Sequence, residues 1–461
     1  MKLKFLGGVE GVTGSKILLT VAKESYFIDY GLFQGDSKIR EGNWRESDLT
    51  DISAVFLTHA HIDHSGLIPR LVYHNFKGTI YCTKETLRLC EILLADSAKL
   101  HVEDAEYANK KKYSRHKPAL PLYTPEDVEQ VLRQFKACDF EEEIKVSEHV
   151  QIKFHWAGHI LGSSFVEVKL EEEGVNKTIV FSGDVGHSRA ITLKPPVNLV
   201  PCDVLVLEST YGDKLHARIP AIEVLGMYLN IILKREGVAL IPSFSVGRTQ
   251  DILYLINKLM LDKKIPEVPV ILDSPLSRKA NQIFLSSLRP EYIKEEVLSC
   301  CPHGVFPTTL NEVETYEESN TTQEMDGPVI IVSASGMIDG GRIMHHLKGR
   351  ITQKKNGVIL VGFQPQGTKG RLLLEGLEIL RLHKEEFSVK ADIFYINSLS
   401  SHADYLDLLE WIKTSRVKPH LTILNHGEPR ASENLKSLLE SSLDFKTTVA
   451  ELYEEMDISS L

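Results

Sequence analysis

The residues with the clearest potential for chemistry lie in one histidine-rich loop, residues 58–66, whose sequence is THAHIDHSG. The loop follows an apolar run and carries three imidazoles and a carboxylate within six positions: His59, His61, Asp63 and His64. Imidazole and carboxylate groups suit zinc, a borderline-soft divalent ion. Because neighbouring side chains on a tight loop point in different directions, one such loop can serve two ions. The pattern therefore predicts a metal centre rather than a polar turn.

Two ions need more ligands than one loop supplies, and three further segments offer them. Each segment follows a predicted strand and places a polar residue beside glycine: His159 in WAGH, Asp184 in FSGD and His426 in NHGE. A lone histidine at a strand end is more often structural than a ligand. Glycine, however, lets a loop approach an ion closely. These three residues are therefore candidate ligands.

The elements that would position these residues change character along the chain. Up to about residue 210, short strands alternate with helices predicted at 84–104 and 125–136, the second opened by Thr124 and Pro125. From about 220 to 390, apolar strands alternate with longer helical patterns, as in βαβ units around a parallel sheet. Those helices are predicted at 220–236, 247–261, 277–288 and 341–349, and the strands at 238–242, 268–273, 328–333 and 357–362. A length of 461 residues is too great for one ordinary core, so two domains are expected.

The motifs and their order resemble the metallo-β-lactamase superfamily and, within it, the β-CASP nucleases. The superfamily motifs match Asp29 after a strand, the histidine-rich loop, His159 and Asp184. The β-CASP motifs match three segments, LESTYGD at 207–213, SHADY at 401–405 and NHGE at 425–428. Two more segments are typical of the inserted domain, PSFSVGRTQ at 242–250 and SASGM at 333–337. The resemblance covers almost the whole chain.

This resemblance implies an α/β fold in two domains. A metallo-β-lactamase αββα sandwich would carry an inserted α/β (β-CASP) domain built on a mainly parallel sheet. The sandwich would comprise residues 1–209 and 391–461, and the insertion residues 210–390.

The resemblance also implies two Zn²⁺ per chain. His59, His61 and His159 would hold one ion, and Asp63, His64 and His426 the other. Asp184 would bridge the two ions, and Asp29 would support the histidine-rich loop from behind, as ligating imidazoles usually require.

The mechanism expected for such a centre is phosphodiester hydrolysis. A hydroxide activated by the two zinc ions would attack phosphorus, and His402 would act as the general acid that protonates the leaving oxygen. Glu208 would orient His402 and raise its pKa. With Asp63, Asp184 and Asp29, these two residues complete the predicted catalytic set. The alternative for His402 is an N-cap-like residue before a helix at 404–413.

Phosphate groups would be held at strand-to-helix junctions of the inserted domain. Ser335 and Gly336 follow one predicted strand, and Ser243 and Arg248 stand at the equivalent junction of another. Backbone amides at such junctions form natural anion sites. For Arg248, an interdomain ion pair is an equal alternative.

The substrate implied by the resemblance is single-stranded RNA. His426 occupies a motif position where RNA-cleaving relatives have His and DNA-repair relatives tend to have Val. A zinc-dependent ribonuclease, acting as an endonuclease, a 5′-to-3′ exonuclease or both, is therefore expected. The alternatives are a DNA nuclease and a small-molecule metallo-hydrolase, which would not need the insertion or His402. A non-catalytic RNA-binding scaffold is disfavoured because every expected ligand is present.

Composition sets the remaining expectations. A formal net charge of -10 argues weakly against a nucleic-acid partner, although clefts act through local fields. One basic run, residues 110–117, is either a solvated loop or a phosphate-tracking segment.

The chain has no membrane-length apolar run, no apolar signal segment at its start, and six scattered cysteines, so a cytoplasmic location and no membrane partner are expected. Oligomeric state, including a homodimer, stays open.

Overall fold

A computed structural model describes residues 1–35, 37–45, 51–112, 114, 116–300, 304–365, 367–382 and 384–461. These residues form two compact units. The first unit contains residues 1–188, 195–215 and 402–461, and the second contains residues 189–194 and 216–401. The units change at 215/216 and 401/402; the domain limits at 209/210 and 390/391 remain sequence predictions.

The first unit is built from two seven-stranded sheets. The strands of the first sheet are β1 (Lys2–Gly7), β2 (Lys16–Val21), β3 (Glu24–Ile28), β4 (Ile52–Phe56), β5 (Thr79–Thr83), β6 (Phe135–Cys138) and β22 (Glu455–Asp457). The strands of the second sheet are β7 (Ile144–Lys145), β8 (Val150–Trp156), β9 (Ser164–Glu172), β10 (Val175–Phe181), β11 (Val204–Glu208), β20 (Leu421–Asn425) and β21 (Thr447–Val449). Their orders are β22-β1-β2-β3-β4-β5-β6 and β21-β20-β11-β10-β9-β8-β7. Both sheets mix antiparallel and parallel pairs.

The helices of this unit are α1 (Ser37–Arg40), α2 (Ile62–Ser65), α3 (Lys84–Lys111), α4 (Pro125–Leu132), α12 (Tyr405–Ile412) and α13 (Pro429–Leu443), with 3-10 turns at Glu41–Trp44 and Ile68–His74. A hydrophobic cluster joins side chains of both sheets, including Phe5, Phe56 and Phe154. A second cluster joins the other face of the second sheet to α12 and α13, while α3 packs on β5 and β6. Helices therefore cover two face-to-face sheets, which confirms the predicted αββα sandwich.

The second unit has a six-stranded sheet in which every recorded strand pair is parallel. Its strands are β12 (Val238–Pro242), β13 (Val270–Asp273), β14 (Leu310–Glu312), β15 (Val329–Ser333), β16 (Gly357–Leu360) and β19 (Asp392–Tyr395), in the order β14-β13-β15-β12-β16-β19. A hairpin of β17 (Ile379–Leu382) and β18 (Glu385–Ser388) accompanies it. The helices are α5 (Ala221–Leu233), α6 (Arg248–Leu261), α7 (Pro275–Ser286), α8 (Glu295–Ser299), α9 (Tyr316–Gln323), α10 (Ile343–Arg350) and α11 (Lys369–Leu374), and Asn397–Leu399 forms a 3-10 turn. The predicted parallel α/β insertion is confirmed.

One predicted helix is too long and another too short. The helix expected at 125–136 ends at Leu132, because Phe135–Cys138 pairs with β5 and becomes strand β6. Pairing with a neighbouring strand overrides the local helical pattern there. The helix expected at 84–104 continues to Lys111, where Ala105 and Ala108 still bury their side chains.

Two other features bear on the composition. The cysteines in the described part of the chain, Cys82, Cys90, Cys138, Cys202 and Cys300, are free thiols, and Cys301 lies outside it. Part of the basic run, Lys110 and Lys111, forms the last turn of α3, while Arg115 lies outside the described residues. Among the helices that the structure describes, none combines the length and the apolar character needed to cross a membrane.

Candidate active site

The predicted metal ligands all lie in the first unit, in the segments that follow strands β4, β8, β10 and β20, with Asp63 and His64 in the short helix α2. The structure brings them together in two groups, and a third group adds the predicted acid–base pair. The groups are His59, His61, His159 and Asp184; Asp63, His64 and His426; and Asp184, Glu208 and His402. Within each group the candidate ligand atoms lie within 4.8 Å of one another.

The first group has the dimensions of a tetrahedral metal site. His61 Nδ1 lies 3.1 Å from His59 Nε2 and 3.2 Å from His159 Nε2. Asp184 Oδ2 lies 3.4 Å from His59 Nε2 and 3.5 Å from His159 Nε2. Ligands placed about 2.0–2.1 Å from a tetrahedral zinc ion are separated by about 3.3 Å. The four atoms therefore fit around one ion.

The second group faces the other oxygen of Asp184. His64 Nε2 lies 3.2 Å from His426 Nε2 and 3.3 Å from Asp184 Oδ1. Asp63 Oδ2 is farther away, 3.6 Å from His426 Nε2 and 4.0 Å from His64 Nε2. Asp184 Oδ1 is buried and accepts no hydrogen bond from the described residues. A buried carboxylate whose two oxygens face two separate ligand groups has the arrangement that a bridging ligand requires.

The pKa shifts of the side chains in the first group favour the protonation states that bind a cation. Burial lowers the pKa of His59 and His159 and lowers the pKa of His61 to about 3, which keeps these imidazoles neutral with lone pairs available. Burial alone would raise the pKa of Asp184, but the surrounding imidazoles outweigh it and lower that pKa well below its usual value. Neutral imidazole and ionised carboxylate are the forms that bind metal ions.

Asp29 supports the histidine-rich loop at two points. Its Oδ1 accepts a hydrogen bond from the Thr58 amide at 2.8 Å, and its Oδ2 lies 2.6 Å from His64 Nδ1. Burial would lower the pKa of His64, but the carboxylates of Asp184 and Asp29 raise it well above its usual value. With Nδ1 bound to Asp29, His64 turns Nε2 toward Asp184. This is the supporting contact expected from the sequence.

A glycine lets the Asp184 loop approach the histidine-rich loop. Gly183 has φ 51°, and a Cβ atom at this position would lie 2.7 Å from the Cβ of Thr58. Any larger residue would be strained and would push the two loops apart. The glycine beside Asp184 in the sequence is therefore a requirement of close loop packing.

His402 stands beside the metal-ligand groups and is held by Glu208. His402 Nδ1 lies 3.1 Å from Glu208 Oε2, while Glu208 Oε1 accepts a hydrogen bond from the Val185 amide at 2.5 Å. His402 Nε2 lies 3.8 Å from Asp184 Oδ2. Burial would lower the pKa of His402, but the Glu208 and Asp184 carboxylates raise it to about 9. A raised pKa favours the protonated imidazole, the form that a proton donor needs.

The N-cap alternative for His402 is wrong. Asp404 is the N-cap of α12, and it forms a reciprocal capping box with Asp407. The helix end is thus satisfied without His402.

Comparison with known proteins decides the family. Three family models match the chain. The model described as "Metallo-beta-lactamase superfamily" matches residues 17–223, and the model described as "Beta-Casp domain" matches residues 249–373. The model described as "Zn-dependent metallo-hydrolase RNA specificity domain" matches residues 386–450. The chain is 32% identical over 445 residues to ribonuclease TTHA0252 of Thermus thermophilus, covering 95% of this chain and 96% of that protein. The chain belongs to the β-CASP nuclease family of the metallo-β-lactamase superfamily. It is a metal-dependent hydrolase of this ribonuclease family.

Two other β-CASP relatives and one solved structure are also similar. The chain is 30% identical over 452 residues to an RNase J-like protein of Methanocaldococcus jannaschii, covering 97% of each protein. It is 28% identical over 464 residues to transcription termination factor FttA of Methanosarcina mazei, covering 97% of this chain and 70% of FttA. A crystal structure of a protein of unknown function from Enterococcus faecalis V583 superposes with a TM-score of 0.54 at 16% identity, covering 99% of each chain. That last likeness shows a shared fold alone.

The predicted phosphate-binding residues of this β-CASP protein lie in the second unit. Ser243 follows β12 and Ser335 follows the adjacent strand β15, and the Ser243 amide donates to Ser333 O at 3.0 Å. Gly336 packs so closely on Phe244 that a Cβ atom would lie 3.1 Å from the Phe244 amide nitrogen. The structure therefore brings Ser243, Ser335 and Gly336 together at one edge of the parallel sheet.

Arg248 is buried at the start of α6 and has partners within its own unit. Its Nη1 lies 3.3 Å from Asp251 Oδ2, and its Nη2 donates to Ser401 Oγ at 3.2 Å. Phosphate binding by Arg248 stays a prediction.

Two threonines that no sequence motif identified position candidate ligands. Thr58 Oγ1 lies 3.0 Å from both Asp29 Oδ2 and His59 Nδ1, so it connects the supporting carboxylate to a second imidazole. Thr210 Oγ1 donates to His426 O at 3.0 Å. The position of Thr58, between a strand and the first ligand, was the one available signal for it.

Replacing Asp29 by Asn tests the support of the histidine-rich loop. Asparagine can still accept from the Thr58 amide and tolerates the φ of 59° at this position, but it removes the charge that binds His64. We expect metal affinity to fall about 10- to 100-fold while the fold is retained. Competition with a chromogenic chelator measures this, and the exposed Asp139→Asn, whose recorded ion-pair partner is Lys84, is the matched control. Equal metal affinity in the two variants would contradict the supporting role.

Proposed function

We propose that this protein is a zinc-dependent ribonuclease that hydrolyses phosphodiester bonds of single-stranded RNA with two Zn²⁺ per chain. The observation that carries the proposal is the position of Asp184, whose two oxygens face two groups of imidazole and carboxylate ligands. In this assignment His59, His61 and His159 would hold one ion, Asp63, His64 and His426 would hold the other, and Asp184 would serve both.

The residues of the chain would divide the work around that centre. Two bound zinc ions would supply Lewis-acid polarisation of the phosphate and a water of lowered pKa. Asp29 would keep His64 in its binding orientation. His402, held by Glu208 and in its protonated form, would donate a proton from Nε2 to the leaving oxygen. In the second unit, Ser243, Ser335, Gly336 and Arg248 are proposed to hold phosphates of the substrate.

RNA is favoured over DNA and over small substrates for two reasons. Two full-length relatives are named a ribonuclease and an RNase J-like protein, and residues 386–450 match an RNA specificity domain. His426 lies in the second ligand group, and it occupies the motif position at which RNA-cleaving relatives have His and DNA-repair relatives tend to have Val. A cytoplasmic location is part of the same proposal. It is supported by the free cysteines of the described residues, because thiols stay reduced in the cytoplasm.

A cleavage assay tests the choice of substrate. End-labelled single-stranded RNA and DNA of matched sequence would be incubated with the protein, with and without EDTA. We expect cleavage of RNA at least about 100-fold faster than cleavage of DNA, loss of cleavage with EDTA, and recovery when Zn²⁺ is added back. DNA cut as fast as RNA would favour the DNA nuclease alternative. Cleavage that persists in EDTA would contradict the metal-dependent mechanism.

Substituting His402 by Ala separates proton donation from metal binding. His402 is assigned to proton transfer and to neither zinc set, so we expect kcat to fall about 100- to 10,000-fold while zinc content is retained. Zinc analysis and single-turnover cleavage of RNA measure the two quantities. His420→Ala is the matched control, because His420 is 60% exposed and pairs with Asp203. Parallel loss of zinc and activity in His402→Ala would show that His402 is a ligand instead.

A further inference from the structure

Lys16, the first residue of β2, is a buried lysine. Its surface is 4% exposed, and its Nζ lies 4.1 Å from the centre of the Tyr30 ring and 5.9 Å from that of Phe33. Within the described ranges, no carboxylate forms an ion pair with it. Burial, reinforced by the charge of Arg70, lowers the pKa of Lys16 to about 8. An unpaired buried cation is costly, and aromatic contacts offset only part of that cost.

Arg70 is a second cation that forms no ion pair with any residue the structure describes. Its Nη1 donates to Leu122 O at 3.0 Å. The guanidinium carbon lies 5.3 Å from the centre of the Trp44 ring and 5.6 Å from that of Tyr73. Trp44 and Tyr73 are each 51% exposed, so both aromatic residues remain open to solvent.

We call Lys16, Trp44, Arg70 and Tyr73 the Lys16–Arg70 patch. Asp127 lies beside it, accepts a hydrogen bond from the Tyr73 hydroxyl at 2.5 Å and completes the capping box of α4 with the N-cap residue Thr124. The patch thus offers two cations and two open aromatic residues in a chain whose net charge is -10. Two cations beside two exposed aromatic rings are typical neither of a hydrophobic core nor of a surface ion pair.

Backbone hydrogen bonds tie this patch to the histidine-rich loop. The Tyr30 amide donates to His64 O at 2.8 Å, and the amide of Ser15, which precedes Lys16, donates to Asp63 O at 2.8 Å. The Leu67 amide donates to Tyr30 O at 2.9 Å, one 3-10 turn before Arg70. Segments of the patch and the segment that carries Asp63 and His64 are therefore joined by direct backbone hydrogen bonds within the first unit.

Trp44 is also fixed with respect to Lys16. Asn43 Oδ1 accepts from the Phe33 amide at 2.7 Å, and Asn43 Nδ2 donates to Phe33 O at 2.8 Å. Phe33 is one of the two rings that contact the Lys16 ammonium. Phe33 thus contacts the Lys16 ammonium and is hydrogen-bonded to Asn43, the residue that precedes Trp44.

We propose that the Lys16–Arg70 patch is a nucleotide subsite for single-stranded RNA near the zinc centre. In this subsite Arg70 contacts a backbone phosphate within the positive field of Lys16, and a base stacks on Trp44. The inference rests on the proposed ribonuclease function. Guanidinium groups suit phosphate, and aromatic side chains stack on bases of any sequence. The rival account is a cation–aromatic cluster that serves stability alone.

Tryptophan fluorescence offers a direct test in the full-length chain. Of the three tryptophans, Trp156 and Trp411 are buried at 4% and 5% exposure, so Trp44 is the exposed one. His402→Ala protein, which should bind RNA without cutting it, would be titrated with a single-stranded oligoribonucleotide. We expect saturable quenching of emission that disappears when Trp44→Ala is added to this background. RNA binding without quenching would overturn the stacking role.

Steady-state kinetics tests the same subsite in the active enzyme. We expect Trp44→Ala and Arg70→Gln each to raise KM for RNA about 5- to 30-fold, with kcat changed less than about twofold. Arg70→Gln should also reduce the slope of log KM against log salt by about 0.7, the value for one phosphate contact on a single strand. The matched controls are the exposed Tyr316→Ala and Arg381→Gln of the second unit, which should leave KM within twofold.

Lys16→Met separates the two accounts of the patch. Methionine fills the same space without the unpaired charge, so the melting temperature should stay the same or rise while KM for RNA increases about 5-fold. A lower melting temperature with unchanged KM would show that the patch is structural. If the parent protein cleaves RNA but all three patch variants keep the parental KM, the subsite is wrong and the ribonuclease function stands. If the parent neither binds nor cleaves RNA, both proposals fail together.

Discussion

The constraint on which the site depends is the sharing of one buried carboxylate between two groups of ligands. Asp184 Oδ2 faces His59 and His159, and Asp184 Oδ1 faces His64 and His426. A buried anion surrounded by imidazoles is costly unless positive charge is present. Under the proposed assignment, two divalent ions would supply that charge and would allow a carboxylate and several neutral imidazoles to converge at so little separation.

The αββα sandwich positions the segments that carry the candidate ligands. The candidate ligands follow strands β4, β8, β10 and β20, so both sheets contribute to the candidate site. The large apolar core between the sheets keeps these strand ends in a fixed relation, because close-packed cores resist small displacements. Asp29 adds a second level of control, since it binds both the backbone before His59 and the ring of His64. Paired strands, the hydrogen bonds of Asp29 and the close approach at Gly183 thus hold the candidate ligands in position.

Much of the fold and of the candidate site could be predicted from the sequence. The features that could not be predicted depend on tertiary contacts. The histidine-rich loop, His159 and Asp184 stood out because polar residues beside glycine follow apolar strands. The parallel sheet of the second unit followed from alternating strand and helix patterns. By contrast, β6 was hidden, because Phe135 pairs with β5 only through the tertiary fold. The bond from Thr58 to Asp29 and the Lys16–Arg70 patch could not be seen either, since their members come from separate segments without a shared motif.

Diffraction from crystals of the zinc-loaded protein, recorded on both sides of the zinc absorption edge, is the most direct test of the shared carboxylate. The account predicts two anomalous peaks about 3.5–4 Å apart, one beside each oxygen of Asp184. In crystals of Asp184→Ala, at least one of these peaks should disappear. A single peak in the active parent protein, or two full peaks in Asp184→Ala, would contradict the central claim that Asp184 joins two metal ions.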